Sequence, residues 1–203
     1  MPRTRNDSVR ERLLDAAISL FAERGYAATS IREIVEAAGV TKPALYYYFQ
    51  SKEGIFRAIL DAVEQTTREI VAGSNATRGS SRARIEQLFL SMHALFEREK
   101  TAVRFLNAVM WGPAQGIPRC DLQSVHERFK REVERLVAQG IAAGEFRAAR
   151  PADVARALLA IVSHHFDLAL AFPQLAPGKA GLKRDLGFVF RGITRNAQTE
   201  NAP

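Results

Sequence analysis

Arg32, Lys42, Tyr46, Tyr47, Tyr48 and Lys52 all fall in one short run, SIREIVEAAGVTKPALYYYFQSK, from Ser30 to Lys52. Their types suit non-covalent contact with an anionic partner. Lys42 and Tyr46 are four residues apart, so on a helix they share a face, with Pro43 and Tyr47 beside them. Three consecutive tyrosines span most of the circumference of so short a helix. They cannot all be buried, and some must present hydroxyls to water or to a ligand such as a phosphate. Nothing elsewhere has the form of a catalytic centre: there is no Gly-rich phosphate loop, no G-x-S-x-G elbow, no H-E-x-x-H and no Cys/His constellation. His93, His126, His164 and His165 lack metal-ligand spacing, and adjacent His164 and His165 point about 100° apart on a helix. The expectation is no enzyme, no metal and no cofactor. Cys120 is the single cysteine, so an intrachain disulfide is impossible and a reducing cytoplasm fits best.

The elements that must hold the Ser30–Lys52 run are helices. Hydrophobic periodicity is helical nearly throughout, and no alternating run is long enough for a sheet. A first helix is predicted from Ser8, where Ser8-Val9-Arg10-Glu11 has capping-box form, with Val9, Leu13, Ala17, Leu20 and Phe21 as its apolar stripe and Gly25 as its stop. A second box, Ser30-Ile31-Arg32-Glu33, opens a short helix carrying Ile34, Val35 and Ala38, stopped by Gly39. Thr41 is placed to cap a third helix running to about Phe49, with Pro43 in its first turn where a missing N–H costs nothing. Ser51 caps a fourth helix, expected to end near Ala72. The small polar stretch from Gly73 to Ser81 reads as a loop and a domain boundary. Five helical segments follow: one bearing Ile85, Leu88, Phe89, Met92, Leu95 and Phe96, one at about 101–111 stopped by Gly112-Pro113, a long one capped by Asp121 with Leu122, Val125, Phe129, Val133, Leu136, Val137 and Ile141 along one side, and two at about 151–172 and 179–197. The fold class is all-α: a small N-terminal unit of three or four helices over 1–60 and a larger helical domain over 61–203.

Two short helices joined by a Gly-containing turn are the form of a helix-turn-helix, whose second helix enters the DNA major groove. Leu45 and Phe49 can pack against Ile34, Val35 and Ala38, leaving Lys42 and Tyr46 outside. The longer pattern is more specific. Phe21, Gly25 and Tyr26, then Thr29-Ser30-Ile31-Arg32-Glu33-Ile34, Ala38-Gly39-Val40-Thr41-Lys42-Pro43-Ala44-Leu45-Tyr46-Tyr47-Tyr48-Phe49 and Ser51-Lys52-Glu53, resemble the TetR family of bacterial transcriptional repressors over about residues 8–60.

The resemblance implies roles for these positions. Thr29 and Ser30 would meet a phosphate at a helix start. Arg32 would grip a guanine edge, or else stand as a solvated charge paired with Glu36. Thr41 and Lys42 open the recognition helix, with Lys42 on a second guanine, and Pro43 and Ala44 offer apolar surface to thymine methyls. Tyr46 and Tyr47 would reach the backbone, while Tyr48 is divided between packing and phosphate contact. Lys52 would add a phosphate contact at the start of the fourth helix. Relatives often carry Gly or Ser at the Pro43 position and His at that of Tyr48, so the operator sequence does not transfer.

The chain has 203 residues, 47% hydrophobic and 25% charged, with a net charge of +7. Residues 1–60 hold nine Lys and Arg against seven Asp and Glu, so DNA contact there depends on placed residues and not on bulk charge. The longest apolar stretch, Ala157 to Phe172, is broken by Ser163, His164, His165 and Asp167, and no membrane partner is expected. In the last two helices Val154, Leu158, Leu159, Ile161, Val162, Phe166, Leu168 and Leu170, then Leu186, Phe188, Val189, Phe190 and Ile193, cover more circumference than one core needs. They supply either a homodimer seam or an unusually rich single-chain core. By resemblance, Met92, Phe96, Phe105, Met110, Trp111, Phe129 and Phe166 would line a cavity for a small, largely apolar effector, a solid core being the alternative. The implied protein is a cytoplasmic repressor that binds double-stranded palindromic DNA as a homodimer and is released by that effector. Its rival is an effector-independent architectural DNA-binding protein.

Overall fold

The structure, a computed structural model, describes residues 5–111 and 116–194, with side chains from Val9 onward. The described residues form nine α-helices: α1 (Arg5–Arg24), α2 (Ile31–Ala38), α3 (Lys42–Phe49), α4 (Lys52–Ala76), α5 (Ser81–Arg98), α6 (Lys100–Trp111), α7 (Leu122–Ala142), α8 (Pro151–Ala171) and α9 (Gly178–Ile193). A 3-10 turn, Pro173–Leu175, separates the last two, and an isolated β-bridge pairs Phe146 with Thr194. The fold is all-α.

Several boundaries differ from the sequence expectation. α1 is already helical at Arg5, so Ser8 lies inside it and is not its N-cap. α4 continues through Gly73, Ser74 and Asn75. Ser74 is buried there and its hydroxyl donates to the Val71 carbonyl at 2.8 Å, while Asn75 Oδ1 accepts from Arg84 at 2.8 Å and also from Arg135. Tertiary partners therefore hold as helix a stretch whose composition reads as loop. The expected stop at Gly112-Pro113 and the end of the last helix near Ala197 lie outside the described residues.

The chain forms two compact units, Met1–Thr66 with Glu99–Leu122, and Thr67–Arg98 with Gln123–Pro203. The first unit packs Leu13, Ala17 and Phe21 of α1 on Ile34, Val35 and Ala38 of α2, Leu45 and Phe49 of α3, and Ile55, Phe56 and Ile59 of α4. These are the i, i+4 stripes of four amphipathic helices turned to one centre. Phe105 of α6 completes that core, 5.5 Å from Phe21 and 5.8 Å from Phe56 between ring centroids.

The second unit is built around Ile85, Leu88 and Phe89 of α5, Val133, Leu136 and Val137 of α7, Leu158 and Val162 of α8, and Leu182, Leu186 and Phe190 of α9. Glu145, beyond α7, closes the start of α5: its two carboxylate oxygens accept from the Ser81 N–H at 2.7 Å and the Arg82 N–H at 3.0 Å. By length and composition alone α8 is apolar enough to cross a membrane. Its Val154, Ala155, Leu158, Val162, His165 and Ala169 are buried in the second unit.

Candidate nucleic-acid interface

α2 and α3 owe their geometry to local chemistry. Ser30 closes α2 with a full capping box: its hydroxyl accepts from the Glu33 N–H at 3.2 Å, and the Glu33 carboxylate accepts from the Ser30 N–H at 2.8 Å. That bond, with Arg24 3.0 Å away on the other oxygen, holds the Glu33 carboxyl below its ordinary pKa. Gly39 ends α2 in the left-handed conformation, φ 62°, which suits a residue without Cβ. α3 follows two residues later, starting at Lys42 with Pro43 in its first turn. The turn into α4 is tighter still. A Cβ on Gly54 would lie 1.8 Å from the Phe49 carbonyl oxygen, so only glycine lets the start of α4 approach the end of α3. Arg10 adds a cation over the Phe49 ring, 5.3 Å from its centroid.

Eight residues of α3 extend about 12 Å, comparable to the width of the major groove. One face, Leu45 and Phe49, is buried against the core. On the other, Tyr47 is 75% and Tyr46 50% exposed, and Lys42 and Pro43 are exposed as well. Ala44 is half-buried. Lys42 makes no hydrogen bond or ion pair among the described residues. Thr41 stands at the N-cap but its hydroxyl makes no capping bond. Tyr48 is half-buried, packs on the core, and meets Tyr47 edge-on at 5.0 Å.

Arg32 projects from α2 and pairs with Glu36 at 2.8 Å, both largely exposed. A pair of that kind contributes about 0.3–0.5 kcal/mol, whereas a bidentate guanine contact is worth about 1–3 kcal/mol. The pair is therefore too weak to hold Arg32 against a stronger partner.

Two side chains expected on phosphate are turned inward in the structure. Thr29 is 2% exposed, and its hydroxyl donates inward to the Gly25 carbonyl at 2.9 Å, tying the α1–α2 turn. Only its neighbour Ser30 stays at the surface. Lys52 is turned inward too: its ammonium donates to the carbonyls of Tyr26 at 2.9 Å and Thr29 at 2.7 Å, and lies 4.3 Å from the Tyr26 ring centroid. Burial lowers its pKa, with Glu33 acting in the opposite sense. With two of three donors engaged, Lys52 is a strut that fixes the turn before α2. Sequence reasoning gave no role to Gly54 or Arg10, and took Tyr26 only as part of the family pattern. Gly54 carried a signal of its own, a glycine in a helix's first turns where it costs about 1 kcal/mol against alanine.

The seven residues expected around an effector are not brought into one cluster. Phe105 belongs to the first unit's core, and Met110 and Trp111 are exposed, Trp111 by 80%. In the second unit Phe129 is buried beside Phe89, and Met92 and Phe166 pack on the core with Phe96 stacked on Phe166 at 4.6 Å. None of the seven lines the groove of about 450 Å³ between α7 and α8, whose walls include His126, Lys130, Glu134, Arg156 and Leu159.

Comparison with known proteins agrees with this geometry. The family described as bacterial regulatory proteins, tetR family, matches residues 13–59. These hold every core residue of the first unit except Phe105. The HTH-type transcriptional repressor KstR2 of Rhodococcus jostii is 41% identical over 98 residues, 46% of each chain, so the match spans about half the length of that relative. The HTH-type transcriptional repressor ComR of Escherichia coli is 32% identical over 140 residues, 67% of each chain. The crystal structure of a γ-butyrolactone receptor, an ArpA-like protein, superposes with a TM-score of 0.75 at 24% identity, over 96% of this chain and 92% of the receptor, a likeness of fold. The similarity to ComR runs well past the helix-turn-helix, and on that extent the chain belongs to the TetR family of bacterial transcriptional regulators.

Proposed function

We propose that the chain is a ligand-responsive repressor of transcription that acts in the cytoplasm, binding a palindromic operator as a homodimer and leaving it when a small, largely apolar effector binds. The observation that carries this reading is the exposed Lys42–Tyr46–Tyr47 face on a helix whose opposite face is fixed in a core. Residues 1–60 supply the reading head, with Arg32 and Lys42 on base edges, Pro43 and Ala44 against thymine methyls, and Ser30, Thr41, Tyr46 and Tyr47 on the backbone. Residues 61–203 supply effector binding and dimer contact. Phe172 just after α8, Leu175 in the 3-10 turn and Phe188 of α9 are large exposed apolar side chains, which favours a dimer contact there. A two-fold dimer would present its heads to half-sites about 34 Å apart.

Release requires that the effector prefer one of two dimer states. Moving that equilibrium from 1:99 to 99:1 takes about 5.5 kcal/mol of differential binding. That a relative in fold is a γ-butyrolactone receptor supports a ligand-responsive reading. Sedimentation of the protein with a selected duplex, with and without compounds from a screen, tests it. Two chains per duplex and release by one compound class is the expected result. Monomeric coating of any duplex, unaffected by every compound and abolished by salt, would favour the architectural alternative.

A further inference from the structure

His165 of α8 is 3% exposed, and neither of its ring nitrogens has a hydrogen-bond partner among the described residues. A buried polar group left in that condition is destabilising, and native proteins rarely keep one without a use. Its ring lies 5.2 Å from that of His93 of α5, also buried, and 6.0 Å from that of Phe166, both edge-on. Phe166 in turn lies flat on Phe96, with 8° between their planes. An aromatic surface with polar points on one side is the usual make-up of a small-molecule site.

We propose that His165, with His93 beside it, anchors the effector in the second unit and takes an uncharged hydroxyl carried on a flat apolar body. This rests on the ligand-responsive reading above and names the ligand chemistry for it. The charged and titratable groups acting on His165 are Glu97 and His93 of α5, His164 of α8 and Asp185 of α9. Burial is the largest influence and lowers its pKa, His93 and His164 act the same way, and the two carboxylates oppose them. At neutral pH the ring is uncharged, one N–H donor and one bare acceptor. A hydroxyl donates and accepts, so it can satisfy either nitrogen. A carboxylate only accepts, and would sit in the field of Glu97 and Asp185. The body of the ligand lies against the half-buried Phe166, which the fully buried Phe96 backs from behind.

The test uses 4-phenylphenol, with biphenyl and biphenyl-4-carboxylate as matched compounds lacking the neutral hydroxyl. Binding is followed by calorimetry and by the ring-nitrogen resonances of histidine-labelled protein. The expected result is binding of the phenol with a shift of the His165 ring nitrogens, at least tenfold tighter than either matched compound. His165→Leu should weaken it at least tenfold, with His165→Gln, which keeps a donor and an acceptor, in between. Without ligand, His165→Leu should melt at the same or a higher temperature, since it removes an unpartnered polar group. Failure of the phenol to bind, binding unchanged in His165→Leu, or tighter binding of the carboxylate overturns the proposal. So does a lower melting temperature in His165→Leu with phenol binding intact, the signature of a purely structural histidine. Operator release by another compound, equal in wild type and His165→Leu, removes His165 from the site while leaving the ligand-responsive reading in place.

Discussion

In the first unit, among the described residues, Thr29 is the buried polar side chain, and its hydroxyl is satisfied by the Gly25 carbonyl. In the second, Ser74, Ser81, His93, Glu132 and His165 are all buried. The first unit keeps a dry core of short stripes and sets its polar groups outward along α3. The second carries polar groups inside: buried Glu132 pairs with Arg135 one helical turn on at 2.6 Å, Arg135 reaches back to Asn75, and buried Ser81 is capped by Glu145 from 64 residues away. A surface that reads an external polymer needs a rigid support and nothing polar beneath it. A unit that must answer a small molecule needs polar groups where water does not compete.

The sharpest way to break this comparison is through α6, which follows the second unit's α5 in sequence and packs in the first unit's core. Phe105→Ala should cost about 3–5 kcal/mol in urea unfolding and weaken DNA binding with it. A cost below about 1 kcal/mol would detach α6 from that core. Lys52→Met keeps the apolar stem and removes the donors to Tyr26 and Thr29. It should cost about 1.5 kcal/mol, the low end for a charged donor that water still reaches. Affinity for all duplexes should fall alongside the melting temperature. Loss of affinity with unchanged stability would return Lys52 to the phosphate-contact role.

In the second unit, Glu145→Ala should cost about 1 kcal/mol by leaving the first N–H groups of α5 uncapped, with faster amide exchange at Ser81 and Arg82. Unchanged exchange there would show that the long-range polar tie contributes nothing. The smallest effect belongs to Glu33. Its folded pKa lies below the unfolded value, so its support of α2 is complete at neutral pH, above the unfolded value, and is lost as pH falls through the lowered folded value. Amide exchange at Glu33 should accelerate over that acid range, and Glu33→Gln should flatten the dependence.

Much of the first unit was legible because its information is local. Leu13, Ala17 and Phe21, then Ile34, Val35 and Ala38, then Leu45 and Phe49, fall at helical spacing, and each was placed in the core from that spacing. The Ser30–Glu33 box was legible for the same reason. What was not legible depends on the path of the chain, most of it set by residues distant in sequence. Thr29 reads as a surface hydroxyl until the turn lets it donate to the Gly25 carbonyl four residues back, and Lys52 reads as a free cation until it donates to the Tyr26 and Thr29 carbonyls. Gly73, Ser74 and Asn75 read as loop until Arg84 and Arg135 hold them as helix. In the second unit the aromatic residues were correctly seen as apolar, but their spacing does not say that Phe105 belongs to a different core from Phe96 and Phe166.

The central claim is that α3 reads bases from a two-fold dimer, with Lys42 on one base of each half-site. Selection of bound duplexes from a random pool at near-physiological salt, run in parallel on wild type and Lys42→Ala, tests it directly. Wild type should enrich a palindrome with half-sites about 34 Å apart. Lys42→Ala should enrich the same palindrome relaxed at one symmetric position, a loss of about 1–3 kcal/mol there. An identical motif from both proteins, or no motif from either, would contradict the account.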